Sequence, residues 1–217
     1  GRDGAGLACG ICNDDASAGA IGVDVQGSGN SVENFGLRND GGTAELQGGE
    51  YHAGGGDDAG DAYGISNNSN VVAFAPSLMV REAWVYVGGA DNCYAMYNEA
   101  GGAAMLVGGE FWAAVCNGPQ YGAYNTGSGS GLEIKNALIQ ANAVGPPYGL
   151  FAGAGTRTNI SHSELRADTA LQADGGSGHL QFVYLNGDLT GDAGNLVCNA
   201  VTQGGTFYAD GCPPEVP

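Results

Sequence analysis

Apolar and polar residues alternate along much of the chain, in short runs that a bend interrupts. The run from Leu132 to Ala141 shows the pattern: alternation, one variable residue, two turn residues, then alternation again. Related runs begin at Ala44, Leu78, Ala104, Thr158 and Leu180. Alternation with a period of two is typical of a β-strand with one buried face. Each run therefore predicts two short strands that meet at an angle.

A second cassette lies about ten residues before several of these runs. It begins at Tyr63, Tyr94, Tyr121 and Tyr148, and its first copy reads Tyr-Gly-Ile-Ser-Asn. Consecutive copies start 31, 27 and 27 residues apart. Strict alternation predicts that the first and third residues of each copy face inward and that the fourth faces outward.

The recurrence of both cassettes predicts a solenoid. Two or three short strands cannot bury their own faces, but copies stacked about 4.8 Å apart bury them together. A repeat of this length is typical of solenoids. The 42 glycines among 217 residues fit a chain with many tight turns. We therefore predict an all-β fold: a single-stranded parallel β-helix of about eight coils of roughly 27 residues, forming one domain over residues 1–217.

From about Ile21 to Leu189 the repeats resemble the right-handed parallel β-helix proteins of the pectin-lyase-like superfamily. Within it, the cassettes are similar to those of bacterial secreted repeat proteins with Tyr-Gly-Ile-Tyr-Asn motifs. The resemblance implies the right-handed winding, but no single activity, because the superfamily includes lyases, hydrolases, epimerases, adhesins and phage spikes. Residues 1–20 are predicted to form an N-terminal cap or first coil. Residues 190–217 resemble the disulfide-closed C-terminal cap of such proteins.

Six cysteines are present, at positions Cys9, Cys12, Cys93, Cys116, Cys198 and Cys212. An even number in an acidic chain favours disulfides and an oxidising compartment, and hence a secreted or cell-surface protein. Six cysteines allow 15 pairings. We expect local pairs: the first with the second, the third with the fourth, and the fifth with the sixth. A zinc site at Cys9 and Cys12 is the alternative, but no histidine lies nearby to complete it.

The charge balance excludes several classes of partner. Six lysines and arginines stand against 23 aspartates and glutamates, which leaves a net charge of −17. Nucleic acids and anionic lipid surfaces require clustered cations, so neither is an expected partner. No apolar run is long enough to span a membrane.

Two groups of residues are candidates for binding. Tyr97, Tyr124 and Phe151 occupy the fourth position of consecutive cassettes, so we expect an outward aromatic stripe that binds sugar rings or another subunit. The alternative is a ladder whose rings mainly cover one another.

The second candidate group consists of aspartates in glycine-rich turns, which offer the hard oxygen ligands that calcium prefers. Its members are Asp57, Asp58, Asp61, Asp188 and Asp192. Solvated turns are the alternative, and calcium is the only cofactor that the sequence points to.

No catalytic set is recognisable in the sequence. The predicted function is therefore a non-catalytic extracellular or cell-surface scaffold, structural or adhesin-like, that associates with itself as fibres or oligomers. The alternative is a carbohydrate-binding module or a polysaccharide lyase or hydrolase of the same fold. The Gly-His-Gly and Arg-x-Lys motifs of galacturonan hydrolases are absent, and Gly178-His179-Leu180 is the nearest fragment.

Overall fold

The structure, a computed structural model, describes residues 6–29, 32–54, 60–68, 76–142, 146–192 and 195–215. These residues form 22 β-strands that hydrogen-bond into one continuous, mostly parallel sheet. The sheet winds round a single core and has three faces. The prediction of an all-β parallel β-helix is confirmed.

Each of the first five coils contributes one strand to each face in turn. The first face contains β1 (Leu7–Asp14), β4 (Glu33–Asp40), β7 (Asp61–Asn68), β10 (Asn92–Asn98), β13 (Gln120–Asn125) and β16 (Pro147–Gly153). The second face contains β2 (Ser17–Ile21), β5 (Thr43–Gln47), β8 (Leu78–Arg81), β11 (Ala103–Val107), β14 (Gly131–Lys135), β17 (Arg157–Ser161), β19 (Ser177–Gln181) and β21 (Leu196–Gln203). The third face contains β3 (Val25–Ser28), β6 (Glu50–Gly54), β9 (Trp84–Gly88), β12 (Glu110–Ala114) and β15 (Leu138–Asn142).

The coils become shorter towards the C-terminus. Equivalent asparagines in the first five coils are 26, 28, 31 and 27 residues apart, whereas the paired residues Arg157 and Ser177 are only 20 residues apart. The reason is that β18 (Glu164–Asp174) and β20 (Tyr184–Asp192) each run from the third face into the first without an intervening loop. The predicted spacing of roughly 27 residues thus describes the central coils, and the last coils are tighter.

Columns of apolar side chains fill the interior, one residue per coil. On the first face the buried column is Leu37, Ile65, Met96, Ala123, Leu150 and Leu171. On the second face it is Leu46, Val80, Leu106, Ile134, Ile160 and Leu180. On the third face it is Tyr51, Val85, Phe111, Ile139, Leu165 and Leu185. Because no helix packs against the sheet among the described residues, these columns form the core.

A ladder of buried asparagines runs beside the first column. Its members are Asn13, Asn39, Asn67, Asn98 and Asn125. Each side-chain amide donates a hydrogen bond to its neighbour's carbonyl oxygen at 2.7–2.8 Å, and the last donates to Thr158 Oγ1 at 2.9 Å. Most of them also bond the backbone of the following turn, as Asn98 does with Gly102. The ladder therefore satisfies buried polar groups from one coil to the next.

The prediction that the first tyrosine of each cassette faces inward is wrong. In β10 both Ala95 and Met96 point into the core, so the alternation skips one position and Tyr94 lies outside with Tyr97. At the Ala95 position most other coils have glycine, and a Cβ on Gly64 would stand only 2.3 Å from Val85 Cγ1. Two adjacent inward positions, the first too crowded for a large side chain, thus turn the tyrosines outward.

The variable position of the longer cassette is a left-handed turn. Glu82, Asn136, His162 and Phe182 all have φ between 50° and 53° there, and other coils place glycine. Their side chains are exposed. The position adjusts the bend between the second and third faces and contributes little to the core.

The two ends of the solenoid differ. Residues 7–28 form the first coil, β1 to β3, whose strands pair only with the second coil. At the other end β22 (Thr206–Asp210) pairs antiparallel with β21, and the disulfide between Cys198 and Cys212 closes this hairpin. An antiparallel hairpin covers part of a strand edge that would otherwise be open.

Candidate functional site

The outer surface of the third face contains a cluster of aromatic and acidic side chains. It lies on β6, β9 and β12, whose register places Trp84 between Glu50 and Glu110. The same register aligns His52, Tyr86 and Trp112 in a parallel row two positions further along each strand. These side chains point outward because the residues between them, including Val85 and Phe111, belong to the core columns.

Together these side chains form a groove of about 390 Å³. Trp84 lies in it with 62% of its surface exposed, the largest such fraction for any aromatic side chain in the central coils of the described chain. Tyr86 packs edge-on against Trp112 at 5.3 Å between ring centroids, and His52 lies 6.0 Å from Tyr86. No ring partner is found for Trp84 among the described residues. Its indole is therefore open to a ligand.

The two carboxylates beside Trp84 have different partners. Glu50 contacts the ring of His52 at 3.2 Å. Glu110 accepts a hydrogen bond of 2.7 Å from the side-chain amide of Gln140. The amide of Gln140 is neutral, so this partner does not form an ion pair with Glu110.

Two further concavities continue the groove along the solenoid axis. One, of about 440 Å³, shares His52 and Tyr86 with it and extends towards the first coil. The other, of about 500 Å³, shares Trp112 and extends past Gln140 to Arg166. We call these three adjoining concavities together the third-face groove. Its length suits an extended chain better than a compact small molecule.

The predicted aromatic stripe forms, but its rings cover one another. Tyr97 stacks on Tyr124 at 5.4 Å, and Tyr124 stacks on Phe151 at 4.6 Å. Both faces of Tyr124 are thus occupied, and the stripe presents ring edges to solvent. Its role in ligand binding stays a prediction.

A second aromatic column runs beside the stripe and includes the four cassette tyrosines that were expected to face inward. Its members are Phe35, Tyr63, Tyr94, Tyr121 and Tyr148, with 4.7–5.2 Å between successive centroids. The two columns meet edge to face, as at Tyr121 and Tyr124, 4.7 Å apart. We call the whole surface the aromatic ladder.

The hydroxyl groups of the aromatic ladder are partly shielded from water. Tyr63 donates a hydrogen bond to Asp61, and Tyr97 donates one to Glu99. Burial, the largest cause, and the nearby carboxylates raise the pKa of both tyrosines well above the ordinary value. Burial, with neighbouring tyrosines, also raises the pKa of Tyr121 to about 12. These tyrosine hydroxyl groups stay neutral at physiological pH, and the tyrosines have a structural role.

The predicted calcium ligands belong to two separate turns of the chain, and their role in binding calcium stays a prediction. Asp57 and Asp58 lie outside the described residues. Asp61, on β7, bonds Tyr63 and Asn92, whereas Asp188 and Asp192 lie on β20 near the opposite end of the solenoid. Across the part of the chain that the structure describes, no three His, Cys, Asp or Glu side chains are grouped so that they could hold a metal ion.

The six cysteines form three disulfides in the pairs expected from the sequence. Cys9 joins Cys12 within β1, Cys93 joins Cys116, and the third disulfide closes the C-terminal hairpin. The second disulfide links β10 on the first face to the segment directly after β12 on the third face. Disulfides of this kind are typical of proteins from oxidising environments.

Sequence reasoning missed both the third-face groove and the asparagine ladder. Trp84 and Trp112 fall near cassette bends, where the sequence left their direction open. The signal for the ladder was the asparagine that ends three of the four tyrosine cassettes.

Comparisons with family models, with curated proteins and with solved structures find no match to this chain. Among the described residues no helix has the length and apolar character required to cross a membrane.

Proposed function

We propose that this protein is a non-catalytic extracellular or cell-surface scaffold of the right-handed pectin-lyase-like type, resembling bacterial secreted repeat proteins. The asparagine ladder is the observation that carries the proposal. It ties five successive coils together with short side-chain hydrogen bonds in a buried environment. Such a rod is suited to hold surfaces at fixed positions. The three disulfides fit an oxidising compartment outside the cell.

Self-association is part of this proposal and is the part most directly tested. Negative-stain electron microscopy of the purified protein, with calcium and with a chelator, distinguishes the outcomes. We expect regular fibres or discrete oligomers, because a solenoid presents strand edges at its ends. Isolated short rods at every concentration, in both conditions, would contradict self-assembly. A change between the two conditions would support a role for calcium at the predicted aspartates.

A second candidate function is binding of a polysaccharide, and the exposed Trp84 in the third-face groove favours it. Aromatic side chains with one apolar face open to solvent mark ligand surfaces, and a groove that continues over several coils matches a polymer. The test is binding to a panel of immobilised glycans. We expect Trp84→Ala to abolish binding and Tyr124→Ala, on the aromatic ladder, to preserve it. The reverse pattern would move the binding surface to the predicted stripe.

A further inference from the structure

The third-face groove has a charge pattern that restricts the chemistry of its ligand. Glu50 and Glu110 lie on the strands directly before and after that of Trp84, in the same outward row. A group placed on the indole therefore has a carboxylate on each side along the solenoid axis. A neutral apolar platform between two acids matches a ligand that combines a flat apolar face with positive charge.

The cations of the chain do not cancel this charge. Of the arginines and lysines in the described residues, Arg166 alone lines the groove, at its far end, and it binds Glu164 through two nitrogens at 2.8 and 3.0 Å. Within the described part of the chain, the hydrogen-bond partner of Glu110 is the neutral amide of Gln140. With a net charge of −17, the whole chain adds to the negative potential. Acidic polysaccharides are therefore repelled from the groove.

The spacing of the carboxylates matches an extended chain of sugars. Neighbouring coils are about 4.8 Å apart, so Glu50 and Glu110 are separated by about 10 Å along the axis. One sugar unit of an extended β-linked chain has a length close to one coil step, and units two apart have the same orientation. A chain along the groove thus places one unit on Trp84 and directs equivalent groups of its two neighbours towards the carboxylates.

We infer that the third-face groove binds a cationic amino-sugar polymer, a β-linked chain with free amino groups such as polyglucosamine. Trp84 stacks on one sugar, and the ammonium groups of the flanking sugars donate charge-assisted hydrogen bonds to Glu110 and Glu50. Glu110 contributes more than Glu50, because His52 already contacts Glu50. This inference rests on the second candidate function, polysaccharide binding, and names the class of polysaccharide.

Calorimetric titration of the intact protein tests it with four probes: a glucosamine hexamer, its fully N-acetylated counterpart, a glucose hexamer and a galacturonate hexamer. We expect the glucosamine hexamer to bind, its affinity to fall with ionic strength, and the other three to bind far more weakly. Glu110→Gln keeps the shape of the groove and is expected to weaken binding about tenfold. Glu50→Gln is expected to weaken it less. Trp84→Ala is expected to abolish it.

The control is Glu133→Gln on the second face, which removes a carboxylate paired with Lys135 outside the groove and should leave binding unchanged. Equal binding of the glucosamine, N-acetylated and glucose chains would overturn the cationic inference and leave polysaccharide binding intact. No binding of any of the four probes would overturn both. Equally tight binding of a lysine hexamer at the same residues would show that charge alone is recognised, and would overturn the assignment to a sugar.

Discussion

The outer surfaces of the first and third faces of the solenoid differ in how their side chains repeat from coil to coil. On the first face the same kind of ring recurs from coil to coil, and each ring covers the next at about 5 Å. On the third face the outward row that contains Trp84 has a different residue in successive coils: Glu50, then Trp84, then Glu110. A repeated ring stacks on its own copy in the next coil, whereas Trp84, which lies between two glutamates, has no ring partner among the described residues. The repeated rings of the first face therefore have a structural role, whereas the varied residues of the third face form the candidate contact surface.

The largest expected effect is the loss of one member of the asparagine ladder. In Asn98→Ala, the amide of Asn67 loses one of its acceptors and keeps Ser77 Oγ, while the carbonyl oxygen of Asn125 loses its donor, both in a buried environment. We expect a loss of about 4 kcal/mol in the free energy of unfolding, measured by urea denaturation. Asn199→Ala, at an exposed position, is the control and should change stability little. Similar values for both variants would show that the ladder does not stabilise the rod.

The disulfide between Cys93 and Cys116 joins the first face to the third face. It closes a segment of 23 residues, and a loop of that size corresponds to about 3 kcal/mol of stabilisation. We expect the double variant Cys93→Ala/Cys116→Ala to lose this amount in denaturant unfolding. Retention of wild-type stability would indicate that the stacked ladders alone hold the faces together.

The aromatic ladder should matter for stability more than the aromatic residues on the outer surface of the third face. In Tyr121→Ala a ring that stacks on both Tyr94 and Tyr148 is lost, and we expect a cost of about 2 kcal/mol. The measurement is again the unfolding free energy. Tyr184→Ala, at an exposed position, is the matched control. An equal loss of unfolding free energy in both variants would show that the aromatic ladder contributes no more to stability than an exposed tyrosine.

Alkaline pH provides a test of the same ladder without mutation. The folded state raises the pKa of Tyr121 to about 12, mainly through burial, whereas an unfolded tyrosine titrates near pH 10. The stabilisation linked to the neutral hydroxyl is complete below about pH 10 and is lost as the pH rises towards about 12. We therefore expect the melting temperature, followed by circular dichroism, to decline above about pH 10. In Tyr121→Phe the decline should be smaller, and an identical decline would contradict the assignment.

The smallest effect on stability is expected for Trp84→Ala. The indole is 62% exposed, so its removal should change the unfolding free energy by less than about 0.5 kcal/mol. The same variant is expected to lose glycan binding, which separates a contact residue from a structural one. A large loss of stability would show that Trp84 is a structural residue, as the rings of the aromatic ladder are, and not only a contact residue.

The sequence alone determined the general architecture. The alternation from Leu132 to Ala141 and the recurring tyrosine cassettes specify strands, bends and coils, because each depends only on neighbours in the chain. The sequence also predicted the outward direction of Tyr97, Tyr124 and Phe151, but it left open whether their rings cover one another. Local cysteine spacing was sufficient to predict the pairs that form.

Only the tertiary structure decided where the special surfaces lie. Tyr94 turns outward because Ala95 and Met96 both enter the core, and the crowding at the equivalent Gly64 comes from Val85, which is on the third face and far away in the chain. Glu50, Trp84 and Glu110 hold the same position in the cassettes that begin at Ala44, Leu78 and Ala104, but only the pairing of three successive coils places them side by side on an outer surface. Local alternation depends on a strand's own pleat, but the groove depends on how the coils align, and that alignment forms only when the core packs.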